Sequence, residues 1–322
     1  MPKKRPSVRT RRTHSSLELV LPATSANLGP GFDAAALALK LYLRLRAQPA
    51  SEFSISAKGR DAHICSALDD HLILNTYREV LQSEGKPIIP LGLKIENAIP
   101  IGKGCGSSAA ARLAGIALAV HFGKLKWNDS RIVGEASRRE HHPDNAAACW
   151  LGGVVVARMS GESEAQVAQI RPHGKWSLLL AVPEESLSTE EARRVLPARY
   201  SRADVVVNIQ NSMLLVAAFT QGRPDLLHSA LNDRVHQPYR ASLCPLLPAL
   251  LKLAGTNGVL GAALSGAGPS VLIFLDPRAP ESRVKGTVRK LAQHGLAAEL
   301  LSTGIALKGA CDSRDWKRQH TR

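Results

Sequence analysis

The residues best suited to chemistry lie in a glycine-rich segment that runs from Ile99 to Ala111. Three glycines in five positions precede two serines: Gly102, Gly104, Gly106, Ser107 and Ser108. Glycine lets the backbone approach a ligand closely, and a helix that begins at the serines would offer unpaired N–H groups and the positive end of its dipole. A serine hydroxyl there could bind a phosphate oxygen or Mg²⁺. The segment predicts an anion site, and a turn with a serine N-cap is the alternative.

Two common phosphate-binding patterns are absent from the chain. No Gly-x-x-x-x-Gly-Lys-Ser/Thr sequence and no Gly-x-Gly-x-x-Gly sequence occurs in it. These patterns mark P-loop nucleotidases and dinucleotide-binding folds. The glycine-rich segment therefore predicts a different class of phosphate-binding protein.

Three further clusters combine small, polar and charged residues. Glu140 to Asn145 places two acids, two imidazoles and an amide at the end of a predicted helix, a set suited to acid–base work or metal binding. Ser265 to Ser270 is a glycine turn before a strand, and Ala23 to Asp33 follows the first strand. Asp144 could act as a general base. Asp33 could cap a following helix.

Composition indicates a soluble globular protein. Of 322 residues, 44% are hydrophobic and 21% charged, which suits one large or two medium domains, and no run approaches the roughly 18 uninterrupted apolar residues of a membrane span. Five scattered cysteines, none in Cys-x-x-Cys spacing, predict neither a disulfide framework nor a thiolate zinc site. We expect a reducing, cytoplasmic environment and no membrane partner.

The net charge of +15 is concentrated at the two ends of the chain. Residues 1–12 contain six basic residues and no acid, and residues 308–322 contain five basic residues and two acids. With 4% aromatic residues and no helix-turn-helix pattern, nucleic-acid binding is a disfavoured alternative. We predict that residues 1–16 and 308–322 are solvated basic tails.

Hydrophobic periodicity predicts strands and helices in mixed order. The predicted strands are Leu17–Leu21, Leu41–Leu45, Phe53–Ala57, Leu91–Glu96, Gly153–Ala157, Ser177–Val182, Ser270–Leu275 and segments near 297–307. The predicted helices are Asp70–Ser83, Ser107–Phe122, Asp129–His141, Asp204–Gln221, Asp225–Asn232, Pro245–Ala254 and Pro280–His294. The helix over 204–221 should bury a stripe formed by Val205, Ile209, Met213, Val216 and Phe219. The layout is α+β, with a domain boundary near 173/174.

The clusters together resemble the GHMP kinases, the small-molecule kinase superfamily that includes galactokinase, homoserine kinase, mevalonate kinase and phosphomevalonate kinase. The glycine segment is similar to the phosphate loop of that superfamily. Five motifs, in order along residues 17–307, are most similar to those of homoserine kinases: 25–33, 142–145, 188–193, 237–240 and 265–270. The resemblance implies two domains, an N-terminal mixed-sheet domain (17–173) with a left-handed βαβ unit and a ferredoxin-like C-terminal domain (174–307).

The resemblance also implies a reaction and its residues. ATP-dependent phosphorylation of the hydroxyl of L-homoserine is expected, with a mevalonate kinase, a sugar kinase or a non-catalytic nucleotide-binding or nucleic-acid-binding descendant as alternatives and a homodimer as a family expectation. The implied ATP-binding residues are Pro100, Ile101, Gly102, Lys103, Gly104, Cys105, Gly106, Ser107, Ser108, Ala109, Ala110, Gly266, Gly268 and Ser270. Ser108 and Glu140 are the implied Mg²⁺ ligands, and Glu135 is the competing carboxylate. The implied substrate-side residues are Asn27, Asp33, His142, Asp144, Asn145, Thr189, Arg193 and Arg240.

Three residues depart from the family pattern. Cys105 stands where leucine is usual, His141 where glycine usually precedes the histidine, and His71 where asparagine usually faces adenine. A buried free cysteine behaves as a small hydrophobic residue, so the first change is modest. Replacing glycine removes tolerance for positive φ, so the second should affect the loop at 141.

Overall fold

The computed structural model describes residues 16–320. The predicted basic tail at the N-terminus therefore lies outside the described residues, apart from Ser16. The strands are β1 (Leu17–Ala26), β2 (Ala35–Pro49), β3 (Ser54–Gly59), β4 (Leu91–Asn97), β5 (Val154–Met159), β6 (Ala165–Ile170), β7 (Ser177–Val182), β8 (Val259–Leu264), β9 (Val271–Leu275) and β10 (Glu299–Gly304).

Between and after these strands lie helices of very different lengths. They are α1 (Ala62–Ser66), α2 (Leu72–Ser83), α3 (Ser107–Phe122), α4 (Asp129–Glu140), α5 (Asp144–Leu151), α6 (Thr189–Arg194), α7 (Arg202–Gln221), α8 (Leu227–Ala230), α9 (Gln237–Arg240), α10 (Leu246–Leu251), α11 (Glu281–Lys290) and α12 (Arg314–His320). Short 3-10 turns cover Pro224–Leu226, Leu291–His294 and Ala310–Asp312.

The N-terminal sheet is built around the long strand β2. Strand β1 pairs antiparallel along one edge of β2, while β4 and β5 pair antiparallel with different parts of its length. Strand β3 is parallel to β4, so β3, α2 and β4 form a βαβ unit, and β6 extends the sheet beyond β5. The predicted mixed sheet is confirmed. Strands β1 and β2, and β5 and β6, are antiparallel neighbours joined without a helix, whereas the parallel pair β3 and β4 needs a crossover, which contains α1 and α2.

The C-terminal sheet has the strand order β10-β7-β9-β8, and all its pairs are antiparallel. Numbered within this sheet, the order is 4-1-3-2 with helices between strands one and two and between three and four. This is the connectivity of a ferredoxin-like β-α-β-β-α-β fold, so that prediction is confirmed. One face of the sheet joins the main core through Leu178 and Phe274, and the other packs against α10 and α11.

Helix α3 is the buried axis of the N-terminal half, with the bounds predicted from sequence. Its residues are mostly alanine and leucine, and most of them are buried, from Ala109 and Ala110 to Phe122. A helix that is apolar on all sides is stable only when other elements surround it. Helices α2, α4 and α5 and strand β1 pack around α3 and so fix the direction in which its N-terminus points.

Helix α7 buries only part of the predicted stripe. Val205, Ile209 and Met213 are exposed, whereas Phe219 is buried as predicted, together with Asn208, Leu215 and Ala218. Hydrogen bonds explain this orientation. The Asn208 amide and the Ser212 hydroxyl each donate to the carbonyl of Pro30 at 2.8 Å, and these bonds set the rotation of α7 about its axis. By length and composition alone, α7 is long and apolar enough to cross a membrane. In this structure, 17% of its most apolar 18 residues are buried.

Other predictions erred where elements are short. The predicted helix Asp225–Asn232 is a 3-10 turn followed by the four-residue α8, and Pro280–His294 divides into α11 and a 3-10 turn. Strands β6 and β8 and the helices α1, α5, α6 and α9 were not predicted. Four to eight residues give too few periods for hydrophobic spacing to identify an element. Asp33 caps no helix, because strand β2 begins two residues later.

The predicted C-terminal tail is wrong for the described part of that segment. After β10 the chain returns to the N-terminal half, where the Ala306 N–H donates to the Ala38 carbonyl and the Val20 N–H donates to the Ser313 hydroxyl at 2.9 Å. Trp316 is 4% exposed and meets Trp150 edge to face, with ring centroids 5.0 Å apart. The segment carries one large aromatic side chain, and its burial outweighs the solvation of the basic residues around it.

We expect Trp316→Ala to destabilise the protein by about 3–5 kcal/mol, the cost of truncating a buried tryptophan. Urea unfolding should show the loss, whereas Arg314→Ala, which removes an exposed side chain from the same helix, should unfold like the wild type. A Trp316→Ala protein as stable as the wild type would show that the C-terminal helix is not part of the fold.

Candidate active site

The glycine-rich loop is held at the N-terminus of α3 by a network that only glycine permits. Gly104 and Gly106 have φ values of +75° and +71°, and a Cβ atom at either position would collide with the Ser265 carbonyl or the Thr24 hydroxyl, respectively. The Thr24 N–H donates to the Cys105 carbonyl at 3.0 Å, which joins the loop to β1. The first N–H groups of a helix have no intrahelical acceptor, so this loop directs them into the adjoining cleft.

The cleft has a volume of about 110 Å³ and receives residues from both halves of the chain. Its walls are Asn27, Asp33, Gly102, Gly104, Cys105, Gly106, Ser107, Ser108, Ala109, Glu140, His142, Asp144, Asn145, Leu187, Thr189, Arg193, Arg240, Gly266, Ala267 and Gly268. All eight predicted substrate-side residues are among them, as are both predicted Mg²⁺ ligands. Leu187 and Ala267 were not predicted.

The remaining predicted ATP-binding residues lie outside this cleft. Lys103 directs its ammonium to the carbonyl of Glu184, and Ser270 is fully buried behind the loop, where it accepts a weak bond from the Cys105 thiol at 3.8 Å. Pro100 and Ala110 are likewise absent from the walls, and Ile101 lines a neighbouring cavity instead. The structure therefore places Lys103 and Ser270 as supports of the loop conformation.

That neighbouring cavity is larger, about 710 Å³, and mostly apolar. It shares Gly102, Ser107 and Ser108 with the cleft, and Ile64, Ile73, Ile95, Ile99 and Ile101 contribute to its walls. His71 and Leu72 also line it, and burial lowers the pKa of His71, so its imidazole is neutral. These isoleucines are spread over α1, α2, β4 and the loop after β4, so they gave no local pattern from which this cavity could be predicted.

Two acidic side chains competed as metal ligands, and the structure separates them. The Ser108 hydroxyl donates to Glu140 Oε1 at 2.7 Å, so the two residues face each other at the head of α3. Glu135 lies more than one turn earlier on α4 and receives bonds from Arg138 and Arg139. Burial opposes ionisation of Glu135, yet the two arginines hold its pKa below the usual value. The negative charge of Glu135 is therefore already paired with two arginines. Of the two acids, only Glu140 lines the cleft.

One carboxylate and two guanidinium groups, those of Asp33, Arg193 and Arg240, also line the cleft. Arg193 binds Asp33 through two hydrogen bonds of 2.8 and 3.1 Å. Arg240 is 1% exposed and donates only to neutral groups, among them the carbonyls of Ala192 and Gly266. Burial and the nearby Arg193 charge lower the pKa of Arg240. No carboxylate within residues 16–320 lies within ion-pair distance of Arg240. The part of the cleft beside Arg240 therefore suits an anion.

A compact group of acid, imidazole and amide side chains lines the same cleft. His142 Nδ1 lies 2.5 Å from Asp144 Oδ1, which also accepts from the Asn145 N–H at 2.6 Å. The other oxygen, Asp144 Oδ2, is buried without a hydrogen-bond partner among the described residues. The Asn27 amide donates to the Gly266 carbonyl and accepts from the Asp33 N–H, linking the halves of the chain.

The loop at 141 keeps its left-handed conformation although glycine is absent. His141 ends α4 with φ of +68°, and its exposed side chain leaves His142 directed into the cleft. A left-handed conformation costs a non-glycine residue roughly 1–2 kcal/mol. The substitution thus adds strain without redirecting the loop.

His142 should respond to pH through Asp144. Burial disfavours the imidazolium, but the hydrogen bond and charge of Asp144, assisted by Asp33 and Glu140, raise the pKa of His142 above its usual value. This protonation stabilises the fold below the unfolded-state pKa of about 6.5, and the contribution is lost as pH rises through the raised folded pKa.

We therefore expect Asp144→Asn to lower the pKa of His142, as measured by NMR titration of its ring protons. The difference in unfolding free energy between wild type and Asp144→Asn should narrow as pH rises through the wild-type value. In a His142→Gln background, the change in unfolding free energy caused by Asp144→Asn should no longer depend on pH in this range. An unchanged His142 titration in Asp144→Asn would contradict the assignment of Asp144 as its partner.

Comparison with known proteins places this architecture in a family. Residues 71–153 match the N-terminal domain of GHMP kinases, and residues 215–294 match the C-terminal domain of GHMP kinases. A homoserine kinase from Solibacter usitatus is 42% identical over 297 residues, covering 92% of this chain and 97% of that protein. One from Synechocystis sp. is 39% identical over 300 residues, again with 92% and 97% coverage.

A solved structure supports the same fold. The crystal structure of homoserine kinase from Cytophaga hutchinsonii superposes with a TM-score of 0.78 at 21% identity, covering 94% of this chain and 99% of that one. The two sheets, the glycine loop at the head of α3 and the matches to both domains define an enzyme of the GHMP kinase class. Within that class, the chain belongs to the homoserine kinase family.

Proposed function

We propose that the protein transfers the terminal phosphoryl group of ATP to the hydroxyl of L-homoserine, giving O-phospho-L-homoserine for threonine synthesis. The observation that carries the proposal is the single cleft that joins a phosphate-type glycine loop to a pocket with one carboxylate and two guanidinium groups. Such a pocket complements an amino acid, which bears both charges. The mevalonate and galactose alternatives lack the ammonium group that Asp33 would receive.

The nucleotide would use both cavities. The apolar cavity next to the loop suits a flat base, and the polar atoms of Gly102 to Ser108 suit the phosphates. Glycine at positions 104 and 106 permits the positive φ values and the close approach of the Ser265 carbonyl and the Thr24 hydroxyl that hold the loop in this conformation. His71 in place of asparagine presents a neutral imidazole to the base cavity, so the contact to the base would differ from the usual family contact.

The donor set at the head of α3 fits Mg²⁺. The Ser108 hydroxyl and the Glu140 carboxylate are oxygen ligands, the kind that Mg²⁺ prefers, and both lie beside the loop. These two residues would hold the ion, which when bound neutralises charge on the phosphates during transfer. Because Ser108 and Glu140 stand on different helices, the site depends on the packing of α3 against α4.

The amino-acid substrate would have to divide the Asp33–Arg193 ion pair. Asp33 would receive the substrate ammonium, and Arg193 together with Arg240 would receive the carboxylate, because planar guanidinium groups bind both carboxylate oxygens. Each partner of the pair thus exchanges one ionic contact for another. Thr189 stands at the first turn of α6, which carries Arg193, and would shape this wall.

The central group would orient and deprotonate the hydroxyl. Asp144 Oδ2 is the oxygen that would accept the hydroxyl proton, since Oδ1 is already occupied by His142 and Asn145. Asn27 and Asn145 would hold the hydroxyl by hydrogen bonds. Positioning and electrostatic stabilisation account for most of the catalysis of phosphoryl transfer, so a weak base in a fixed place is sufficient.

Several broader features complete the proposal. We infer a cytoplasmic enzyme with a division into domains at 173/174, which agrees with the membership of β1 to β6 and β7 to β10 in separate sheets. A homodimer is expected from the family. The basic N-terminal segment would not contribute to catalysis and would not make the protein a nucleic-acid binder.

Coupled ADP release tests the proposed reaction directly. Purified protein with Mg²⁺ and ATP is assayed against homoserine, threonine, serine, mevalonate and galactose. We expect turnover with homoserine well above that with the other four compounds. Turnover with mevalonate or galactose and none with homoserine would contradict the proposal.

A further inference from the structure

Arg112 contacts the proposed metal carboxylate, although no motif of the family resemblance includes it. It lies on α3 four residues after Ser108, so both side chains project from the same face of the helix. Arg112 Nε donates to Glu140 Oε1 at 2.5 Å, and the Ser108 hydroxyl donates to that same oxygen at 2.7 Å. One carboxylate oxygen thus receives two donors from a single turn of α3.

The Glu140 carboxylate needs this cation because its side chain is only 13% exposed. A largely buried carboxylate is costly unless it is paired and hydrogen-bonded. The two arginines that precede Glu140 on α4 cannot serve, since Arg138 and Arg139 bind Glu135, and Arg139 also binds Glu79. Among the ion pairs of residues 16–320, Arg112 is the only cation on Glu140.

We propose that Arg112 is a positioning residue that fixes the rotamer of Glu140 and reserves its second oxygen for the metal ion of the proposed phosphotransfer. With Oε1 occupied by two donors, Oε2 is the atom without a donor among the described residues, and Glu140 lines the cleft. A carboxylate held in this way loses little rotational freedom when it binds a cation. The inference rests on the proposed function.

Three substitutions separate positioning from charge. Arg112→Met removes both the donor and the charge at similar volume. Arg112→Gln places an amide N–H the same number of bonds from the backbone as arginine Nε, so it retains the donor and removes the charge. Arg112→Lys retains a charge and a donor. Arg131→Met is the matched control, because Arg131 on α4 also forms an ion pair, at 2.7 Å, with Glu84 just after α2, and neither residue lines the cleft.

Binding of Mn²⁺, followed by electron paramagnetic resonance in the presence of a non-hydrolysable ATP analogue, provides a readout independent of turnover. Arg112→Met should raise the half-saturating Mn²⁺ concentration by about 10-fold, the usual cost of losing a residue that orients a metal ligand. Arg112→Gln and Arg112→Lys should stay within about 3-fold of wild type, and Arg131→Met within about 2-fold. In steady-state assays, Arg112→Met should raise the apparent KM for Mg²⁺ and leave the KM for homoserine unchanged.

The outcomes that would overturn the inference are equally specific. Unchanged or tighter Mn²⁺ binding in Arg112→Met would mean that Arg112 does not support the metal or competes with it. Mn²⁺ binding as weak in Arg112→Gln as in Arg112→Met would show that the charge of Arg112, and not its orienting hydrogen bond, causes the effect. If wild-type protein binds no Mn²⁺ with the nucleotide, the proposed function fails instead, so the two failures are distinguishable.

Discussion

Glu140→Gln is expected to lower kcat by roughly 10²- to 10³-fold, the range for losing one electrostatic contact to the reacting group. Glutamine has the same shape and can still accept bonds from Ser108 and Arg112, so the fold and the packing of α3 on α4 should persist. What is lost is the negative charge that would hold Mg²⁺. Nucleotide affinity should fall much less than kcat, because the loop itself contributes to phosphate binding.

Glu135→Gln is the control for this prediction. Glu135 is engaged by Arg138 and Arg139 on its own helix, so its substitution should alter stability while kcat remains within about 3-fold of wild type. Ser108→Ala should depress kcat in the same direction as Glu140→Gln. Steady-state kinetics and nucleotide binding by calorimetry measure both quantities. Normal turnover in Glu140→Gln combined with collapse in Glu135→Gln would move the metal site to Glu135.

Arg240→Met is expected to reduce kcat/KM for homoserine by roughly 10- to 150-fold, which corresponds to losing a charge-assisted hydrogen bond worth about 1.5–3 kcal/mol. Arg240 is buried without a carboxylate partner in the described part of the chain, so an anionic substrate would supply the missing counter-charge. Methionine retains most of the volume. Binding of ATP should hardly change, because the hydrogen bonds of Arg240 go to Ala192, His236 and Gly266 and not to the loop at 102–108.

The control for Arg240 is a substrate without a carboxylate. With 3-aminopropan-1-ol, which is homoserine lacking that group, wild type should turn over poorly and Arg240→Met should lose little more. Because Arg240 also donates to the carbonyls of Ala192 and Gly266, thermal melting should accompany the kinetics. An equal fall for both substrates would assign Arg240 a structural role. Arg193→Ala should impair homoserine turnover too, and it should also release Asp33 from its ion pair.

The sequence alone was sufficient for features that depend on near neighbours. The bounds of α3 followed from an apolar run between the glycine loop and Gly123. The loop itself was recognisable because closely spaced glycines before a helix let the backbone adopt positive φ values and approach a ligand. The ordered motifs indicated the family and, with it, the two-sheet fold. All eight substrate-side residues named from those motifs line one cleft. Motifs carry this information because the residues of each are close together in the chain, on one loop or one short helix.

Only the tertiary structure decided which distant groups meet. Asp33 and Arg193 are 160 positions apart, and nothing in either segment specifies their ion pair. Glu135 and Glu140 look equivalent in sequence, and the choice between them depends on which one α3 faces and which one its own helix neutralises. The exposed stripe of α7 and the buried Trp316 both depend on contacts with distant residues. Two hydrogen bonds to the Pro30 carbonyl orient α7, and the contact between Trp150 and Trp316 holds the C-terminal helix. Periodicity specifies that a face is apolar, but burial is decided by the partner that packing supplies.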